Sequence, residues 1–313
     1  MQIYLATSSD THSISKIWSE CFTQDESYIE NFIKNCFPYT KTWLLVPDCY
    51  DYPVASLSLL PCYTVYKGKQ YKGGYVYAVG TLSEHRGNSY SKYLTEEAFR
   101  YAKEEKLSFI AVKPATESLY DLYSRLSFDV TLYEKVSDVD PEGRYNYSSD
   151  GFLLSDRKPI IKLSSPLLQD NNIPTLYQLR EEFQSDTSIL WSKEILSYTV
   201  RELAFKNGFL AIYYYDNNPK HQYYYICYPL ENSDSLVYVA DHNIDKGSTL
   251  EDFIFENSSL FKNVKIYRFS NLPPAISKRC PTKKIKSGMI KSFESEPGFN
   301  KFISKLRLSL PME

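Results

Sequence analysis

The sequence predicts an α/β protein in which mixed sheets are flanked by helices. Three observations carry that expectation. Short apolar or alternating runs interleave with segments of helical spacing along the whole chain. A stretch rich in Ser, Asp, Gly and Pro occupies residues 137–159 and reads as a linker. The order of elements before and after it is alike, which predicts a tandem architecture. With 313 residues, and domains of about 150 residues each, the division is 1–136, a linker over 137–159, and 160–313.

Ile3 to Ala6 reads as a strand, and the capping residues Thr7 to Asp10 open a helix that carries Ile14, Ile17, Trp18 and Cys21 on one face. A second helix is expected from Ser27 to about Phe37. Strands follow at Trp43 to Val46, at Val54 to Val65 with a break near Pro61, and at Tyr75 to Thr81. The polar segment after Thr81 leads into a helix that ends near Glu105, with Tyr90, Leu94, Ala98 and Tyr101 on its apolar side. Leu107 to Val112 is a buried strand, Glu117 to Leu126 a helix and Phe128 to Tyr133 a strand. Beyond the linker come a strand at Ile160 to Leu163, helices at Pro174 to Phe183 and Trp191 to Lys206, and strands at Phe209 to Tyr215, Tyr223 to Tyr228 and Leu236 to Ala240. A helix at Leu250 to Phe261 and strands at Val264 to Phe269 and Met289 to Phe293 complete the pattern.

Composition excludes several function classes. A net charge of −2 gives no overall basic field for nucleic acid or anionic lipid. The six cysteines form no C-x-x-C pair and the four histidines no metal motif, so neither a zinc site nor a disulfide framework is expected. The amino terminus lacks the basic start and apolar run of a signal peptide, and no apolar run approaches a membrane span. A cytoplasmic protein is the expectation. Tyr contributes 29 residues. These either fill half-buried strand positions or line a pocket, and composition alone does not choose.

The chemistry-bearing segment runs from Tyr77 to Leu94, where a strand ends, a short polar loop follows and a helix begins. The first turn of such a helix presents free N–H groups and partial positive charge. Arg86, Gly87, Asn88 and the small residues beside them would let a pyrophosphate approach the backbone. Taken alone, the same pattern describes an ordinary helix cap.

In order and spacing, residues 1–135 resemble the GNAT superfamily of N-acetyltransferases. Its cofactor signature, Arg/Gln-x-x-Gly-x-Gly/Ala, is matched in place by Arg86-Gly87-Asn88-Ser89-Tyr90-Ser91, with serines at both small positions. Its later Leu-Tyr-x-x-x-Gly-Phe motif is matched by Leu122-Tyr123-Ser124-Arg125-Leu126-Ser127-Phe128, with Ser127 at the glycine. His85-Arg86 and the tandem layout look most like the enhanced-intracellular-survival-type branch. That branch adds a sterol-carrier-like third domain, for which this sequence shows no counterpart.

The resemblance implies tandem GNAT-like folds, acetyl-CoA as co-substrate and a small-molecule or peptide amine as acceptor. It assigns the acetyl and pantetheine groups to the strand edge at Val79, Gly80 and Thr81. The pyrophosphate falls to Arg86, Gly87, Asn88, Ser89, Tyr90, Ser91 and Lys92. It gives Tyr123 the general-acid role; a phenol of pKa about 10 suits a thiol of about 8.5. Thr116 and Glu117 fall where either a helix cap or a cofactor contact belongs. His85 reads as a surface or capping residue, and no general base stands out. The related branch implicates a carboxyl-terminal carboxylate, which here would be that of Glu313.

The basic run of Lys278, Arg279, Lys283, Lys284, Lys286 and Lys291 is expected on a loop, as a solvated face or as a contact for an acidic acceptor or RNA. In the second half, Asp241 and Asp245 follow the strand that would correspond to the cofactor strand. Their charge would repel a pyrophosphate, so one CoA per chain is expected. Ser248 and Thr249 read as helix caps. Three functions stay open: an N-acetyltransferase, a non-catalytic acyl-CoA-binding or scaffold protein whose site has drifted, and an aminoacyl or peptidyl transferase of the tandem GNAT-like class. The sequence does not specify the oligomeric state.

Overall fold

The computed structural model describes residues 1–22, 26–140, 159–164, 173–184, 186–215, 218–230, 235–244, 250, 253, 264–278 and 280–308. Most of the expected linker, most of the helix expected at Leu250 to Phe261, and Arg279, Asp245, Ser248, Thr249 and Glu313 lie outside the described residues.

The chain begins with β1 (Gln2–Leu5), the helices α1 (Thr11–Phe22) and α2 (Glu26–Asn35), and the meander β2 (Lys41–Val46), β3 (Ala55–Tyr66) and β4 (Lys69–Thr81). Then follow α3 (Tyr90–Glu104), β5 (Phe109–Val112), α4 (Glu117–Arg125) and β6 (Val130–Val139). The second half supplies β7 (Pro159–Ser164), α5 (Ile173–Gln184), β8 (Leu190–Trp191) and α6 (Lys193–Glu202). It continues with β9 (Phe209–Tyr215), β10 (Asn218–Pro229), β11 (Leu236–His242), β12 (Ile266–Ser270), α7 (Pro274–Ser277), β13 (Thr282–Ser292) and α8 (Phe299–Ile303).

Among the described residues the strands form one mixed sheet, ordered β1-β2-β3-β4-β5-β13-β6-β12-β11-β10-β9-β7. Two junctions tie its halves together. β6 pairs with β12, Val139 opposite Tyr267 through Val136 opposite Ser270. β13 inserts antiparallel between β5 and β6, so a late segment completes the early sheet. β8 adds a short third contact on β3, Cys62 opposite Trp191.

Three expectations are corrected here. β3 runs unbroken through Pro61 because the ladder to β2 ends at Leu59 and that to β8 starts at Cys62; Pro61 falls in the gap, where a missing N–H costs nothing. The basic run is not a loop: Lys283, Lys284, Lys286 and Lys291 lie on β13. Lys284 sits 4.1 Å from the centre of the Tyr133 ring and Lys286 pairs with Glu117, so aromatic and carboxylate neighbours hold the lysines on the strand. Asp241 is no exposed repulsive charge; it is buried and accepts from Arg180 Nε at 2.7 Å and Gln184 Nε2 at 2.7 Å.

The main core is shared by the two halves. Trp18 and Phe32 from α1 and α2 pack near Tyr198 of α6, and Trp191 of β8 stands edge-on to Tyr75 of β4. A smaller cluster around Tyr225, Phe253, Tyr267 and Phe269 lies under β10 to β12. Among the described residues no helix is long and apolar enough to cross a membrane.

Candidate functional site

The site begins where β4 leaves β5. The two strands pair in parallel from Gly73 opposite Phe109 to Val76 opposite Val112, and no further. On its other edge β4 slips against β3: Tyr77 is opposite Ser58, but Gly80 is opposite Ser56. The extra residue makes a bulge, with Ala78 at φ +51°. A side-chain-bearing residue held there costs about 1–2 kcal/mol, so the surrounding packing must impose the bend. The strand edge from Tyr77 onward therefore has no ladder partner on the β5 side.

That splay opens into a cavity of about 770 Å³. Tyr75, Val76, Tyr77, Ala78 and Val79 form one side, and Val112 to Thr116 the other. Trp18, Phe22 and Tyr28 reach in from α1 and α2, Tyr120 and Tyr123 from α4. Four tyrosines, Tyr28, Tyr75, Tyr77 and Tyr120, line the cavity together with Tyr123, so part of the tyrosine excess lines a pocket. Lys113 and Lys286 bring positive charge to the lining, and Glu117, also in the lining, pairs with Lys286.

Tyr123 is held by the end of its helix. Phe128 N–H donates back to Tyr123 O at 3.0 Å and Ser127 N–H to Ser124 O at 3.0 Å, with Ser127 at φ +69°. This turn puts the Phe128 ring edge-on to Tyr123, with centroids 5.4 Å apart. Burial pushes the Tyr123 hydroxyl up to about 12. Thr116 stands at the start of α4 in an extended conformation; its hydroxyl lies 3.0 Å from that of Ser118.

The loop before α3 continues directly from β4. Gly87 has φ +85° and Ser89, just before the helix, φ +61°. Lys92 and Tyr93 N–H donate to Ser89 O. Arg86 folds back, its Nε donating to Thr81 O at 3.1 Å, and its charge faces Glu20 and the Cys21 thiol. Asn88 Nδ2 donates to His85 O at 2.9 Å. His85 is not at the surface: it is buried with its ring edge-on to Tyr50 at 4.7 Å, and its Nε2 has no hydrogen-bond partner among the described residues. Tyr50 and Tyr52 cover it, an environment that the local polar sequence does not announce.

Of the expected site residues, the structure brings Val79, Thr116 and Tyr123 to the cavity. Gly80 is covered by α1, where an added Cβ would lie 3.0 Å from Ile17 Cγ2 and 3.1 Å from Cys21 Sγ. Thr81, Arg86, Gly87, Asn88, Ser89, Tyr90, Ser91 and Lys92 form the adjoining loop and helix entry rather than the cavity lining.

One cluster has no counterpart in the sequence reading. Tyr77 Oη donates to Glu202 Oε1 at 3.2 Å and lies 3.0 Å from Tyr198 Oη and 2.8 Å from Tyr28 Oη. Tyr198 also donates to Glu202 Oε1. Glu202 is 1% exposed, and Oε2 has no hydrogen-bond partner among the described residues. Burial raises its carboxyl above the ordinary range, against the opposing pull of the tyrosine hydroxyls and Lys206. A signal existed: Ile195, Tyr198 and Glu202 recur at i, i+3 and i+7, a carboxylate inside an apolar helix stripe.

Residues 2–131 match a sequence family described as an acetyltransferase (GNAT) domain. No curated protein sequence matches the chain. A probable N-acyltransferase from Enterococcus faecalis is similar in structure, with TM-score 0.69 and 14% identity over 93% of this chain and 72% of its own. Eis1 from Mycobacterium abscessus gives TM-score 0.62 and 10% identity over 95% of this chain and 75% of its own. A tandem GNAT protein from the clavulanic acid biosynthesis pathway gives 0.52 and 10% over 93% and 98%. Residues 2–131 are thus a GNAT acetyltransferase domain, set in a chain whose overall fold is that of tandem GNAT proteins.

Proposed function

We propose that the protein is an N-acetyltransferase that moves the acetyl group of acetyl-CoA to a primary amine. The observation that carries this reading is the splayed β4 edge at the Ala78 bulge, which shares with Tyr123 a cavity rich in aromatic side chains within a GNAT domain. The unpaired strand edge fits the amide-rich pantetheine arm. The loop from Arg86 to Lys92, with its helix entry, fits a pyrophosphate. When bound, the co-substrate supplies an activated thioester.

The chain's own residues then have separate tasks. Backbone N–H groups of the β4 edge are placed to hold the thioester oxygen as negative charge develops on it. The aromatic walls exclude water and limit hydrolysis. Burial holds the Tyr123 hydroxyl, at about 12, well above an ordinary thiol, which disfavours full proton transfer in advance. Tyr123 therefore hydrogen-bonds to the departing sulfur and passes its proton only as charge builds there. The second half forms part of the acceptor side, and one CoA binds per chain, at the splayed strand edge within residues 2–131, the span that matches the family.

Of the three departures that suggest a drifted scaffold, Ser89 and Ser127 keep the left-handed backbone that glycine would give, and Ser91 lies in the first turn of α3. That favours the enzyme. Thiol release from acetyl-CoA across a panel of aliphatic, aromatic, amino-sugar and peptide amines tests the reading. Amine-dependent release supports it, and binding of acetyl-CoA with no release for any amine would favour the scaffold. Transfer from an aminoacyl donor without acetyl-CoA would favour the aminoacyl transferase.

A further inference from the structure

We infer that Glu202, a residue of the second half, takes the proton from the incoming ammonium through the hydroxyls of Tyr28 and Tyr77. The inference rests on the acetyltransferase reading and names the base which that reading lacks. The geometry is a continuous chain. Tyr28 and Tyr77 both line the cavity. Their hydroxyls are 2.8 Å apart, and Tyr77 Oη donates to Glu202 Oε1 at 3.2 Å. Tyr198 donates to the same oxygen and fixes the carboxylate.

The chemistry requires such a group. A primary amine arrives as ammonium at neutral pH and has no lone pair to attack with until it loses a proton. The ammonium N–H gives its proton to Tyr28 Oη, Tyr28 passes its own to Tyr77, and Tyr77 passes its own to Glu202 Oε1. The freed amine forms the C–N bond and the C–S bond breaks. The second nitrogen proton reaches the sulfur by way of Tyr123, leaving amide and thiol. The proton held on Glu202 returns to solvent before the next turnover, so each ammonium consumed releases one proton.

The titratable groups that face Glu202 come from four elements, and of these Lys206 opposes the rise of its carboxyl. Tyr28 and Cys36 come from the α2 segment, Tyr77 from β4, Tyr198 from α6 and Lys206 from the turn after it. Burial holds the three phenols and the thiol well above their ordinary values, so they stay protonated and relay rather than compete. Burial also raises the carboxyl, which makes it a stronger base than an exposed glutamate.

Two probe amines separate a proton acceptor from a merely structural residue. At pH 7, 4-methylbenzylamine is an ammonium, whereas 4-methylaniline is already neutral. Glu202→Gln should lower kcat/KM for the benzylamine by about 10²-fold and leave the aniline within about threefold. The acid limb of the benzylamine pH profile, above the ordinary carboxylate range in wild type, should disappear in the variant. Tyr77→Phe keeps the ring and should give the same selective loss, and it decides the matter if Glu202→Gln does not fold. Equal losses for both amines, or an unchanged acid limb, would overturn the relay alone. Absence of amine-dependent thiol release from the wild type across the whole amine panel, these two included, would overturn the acetyltransferase reading and the relay with it.

Discussion

Trp191 stands edge-on to Tyr75, with ring centroids 5.3 Å apart and planes 82° apart. One ring belongs to β8 in the second half and the other to the strand that lines the cavity. Together with β13 between β5 and β6, this contact makes the cavity wall depend on late sequence. Trp191→Ala should cost about 3–5 kcal/mol, the range for removing a large buried aromatic. Urea unfolding followed by far-UV circular dichroism and by tryptophan fluorescence should show one coincident transition for both halves. Two separated transitions would mean that the halves are energetically independent.

Ser127 occupies a backbone conformation that suits glycine. Ser127→Gly removes that strain but adds freedom to the unfolded chain, so stability should rise by up to about 1 kcal/mol. Ser127→Val should lower it instead, because a β-branched side chain is poorly tolerated at positive φ. Thermal denaturation of the pair gives the sign directly.

Tyr123→Phe removes the hydroxyl proposed as proton donor but keeps the ring against Phe128. Turnover should fall by about 10²-fold while acetyl-CoA affinity is unchanged. With the hydroxyl at about 12, wild-type activity should show no loss from Tyr123 ionisation below pH 10. Steady-state pH profiles of the two proteins check both statements.

His242 is buried between Ser270 O, to which Nε2–H donates at 2.7 Å, and Ile244 N–H, which donates to Nδ1 at 3.2 Å. Both nitrogens are engaged in the neutral form, and burial lowers the ring to about 4. Asp241 opposes this shift and Arg307 adds to it. Between pH 4 and 6.5 the unfolded chain binds the proton that the folded chain refuses. Stability from this group is therefore full above pH 6.5 and lost as pH falls to 4, by about 3 kcal/mol. Unfolding free energies across that window should fall less steeply for His242→Gln than for wild type.

Much of this fold was legible because its elements are local. Helical spacing at Ile14, Ile17 and Trp18 and the motif around Tyr123 need no distant partner to be read, and both lie where the sequence places them. What was not legible depends on pairing at long range. Pro61 looks like a strand break until the ends of two neighbouring ladders are known. The lysines of β13 look like a loop until the gap between β5 and β6 is seen. Asp241 looks like a free charge until Arg180 is found buried beside it. Glu202 was missed for the same reason: its partners Tyr28 and Tyr77 are far from it in the chain, and only the fold brings their hydroxyls together.

The most direct test of the account is a calorimetric titration of the full chain with acetyl-CoA. The account predicts saturable binding at one acetyl-CoA per chain, weakened by Arg86→Ala through the loop that follows β4. Saturation at two per chain, or no binding at all, would contradict it.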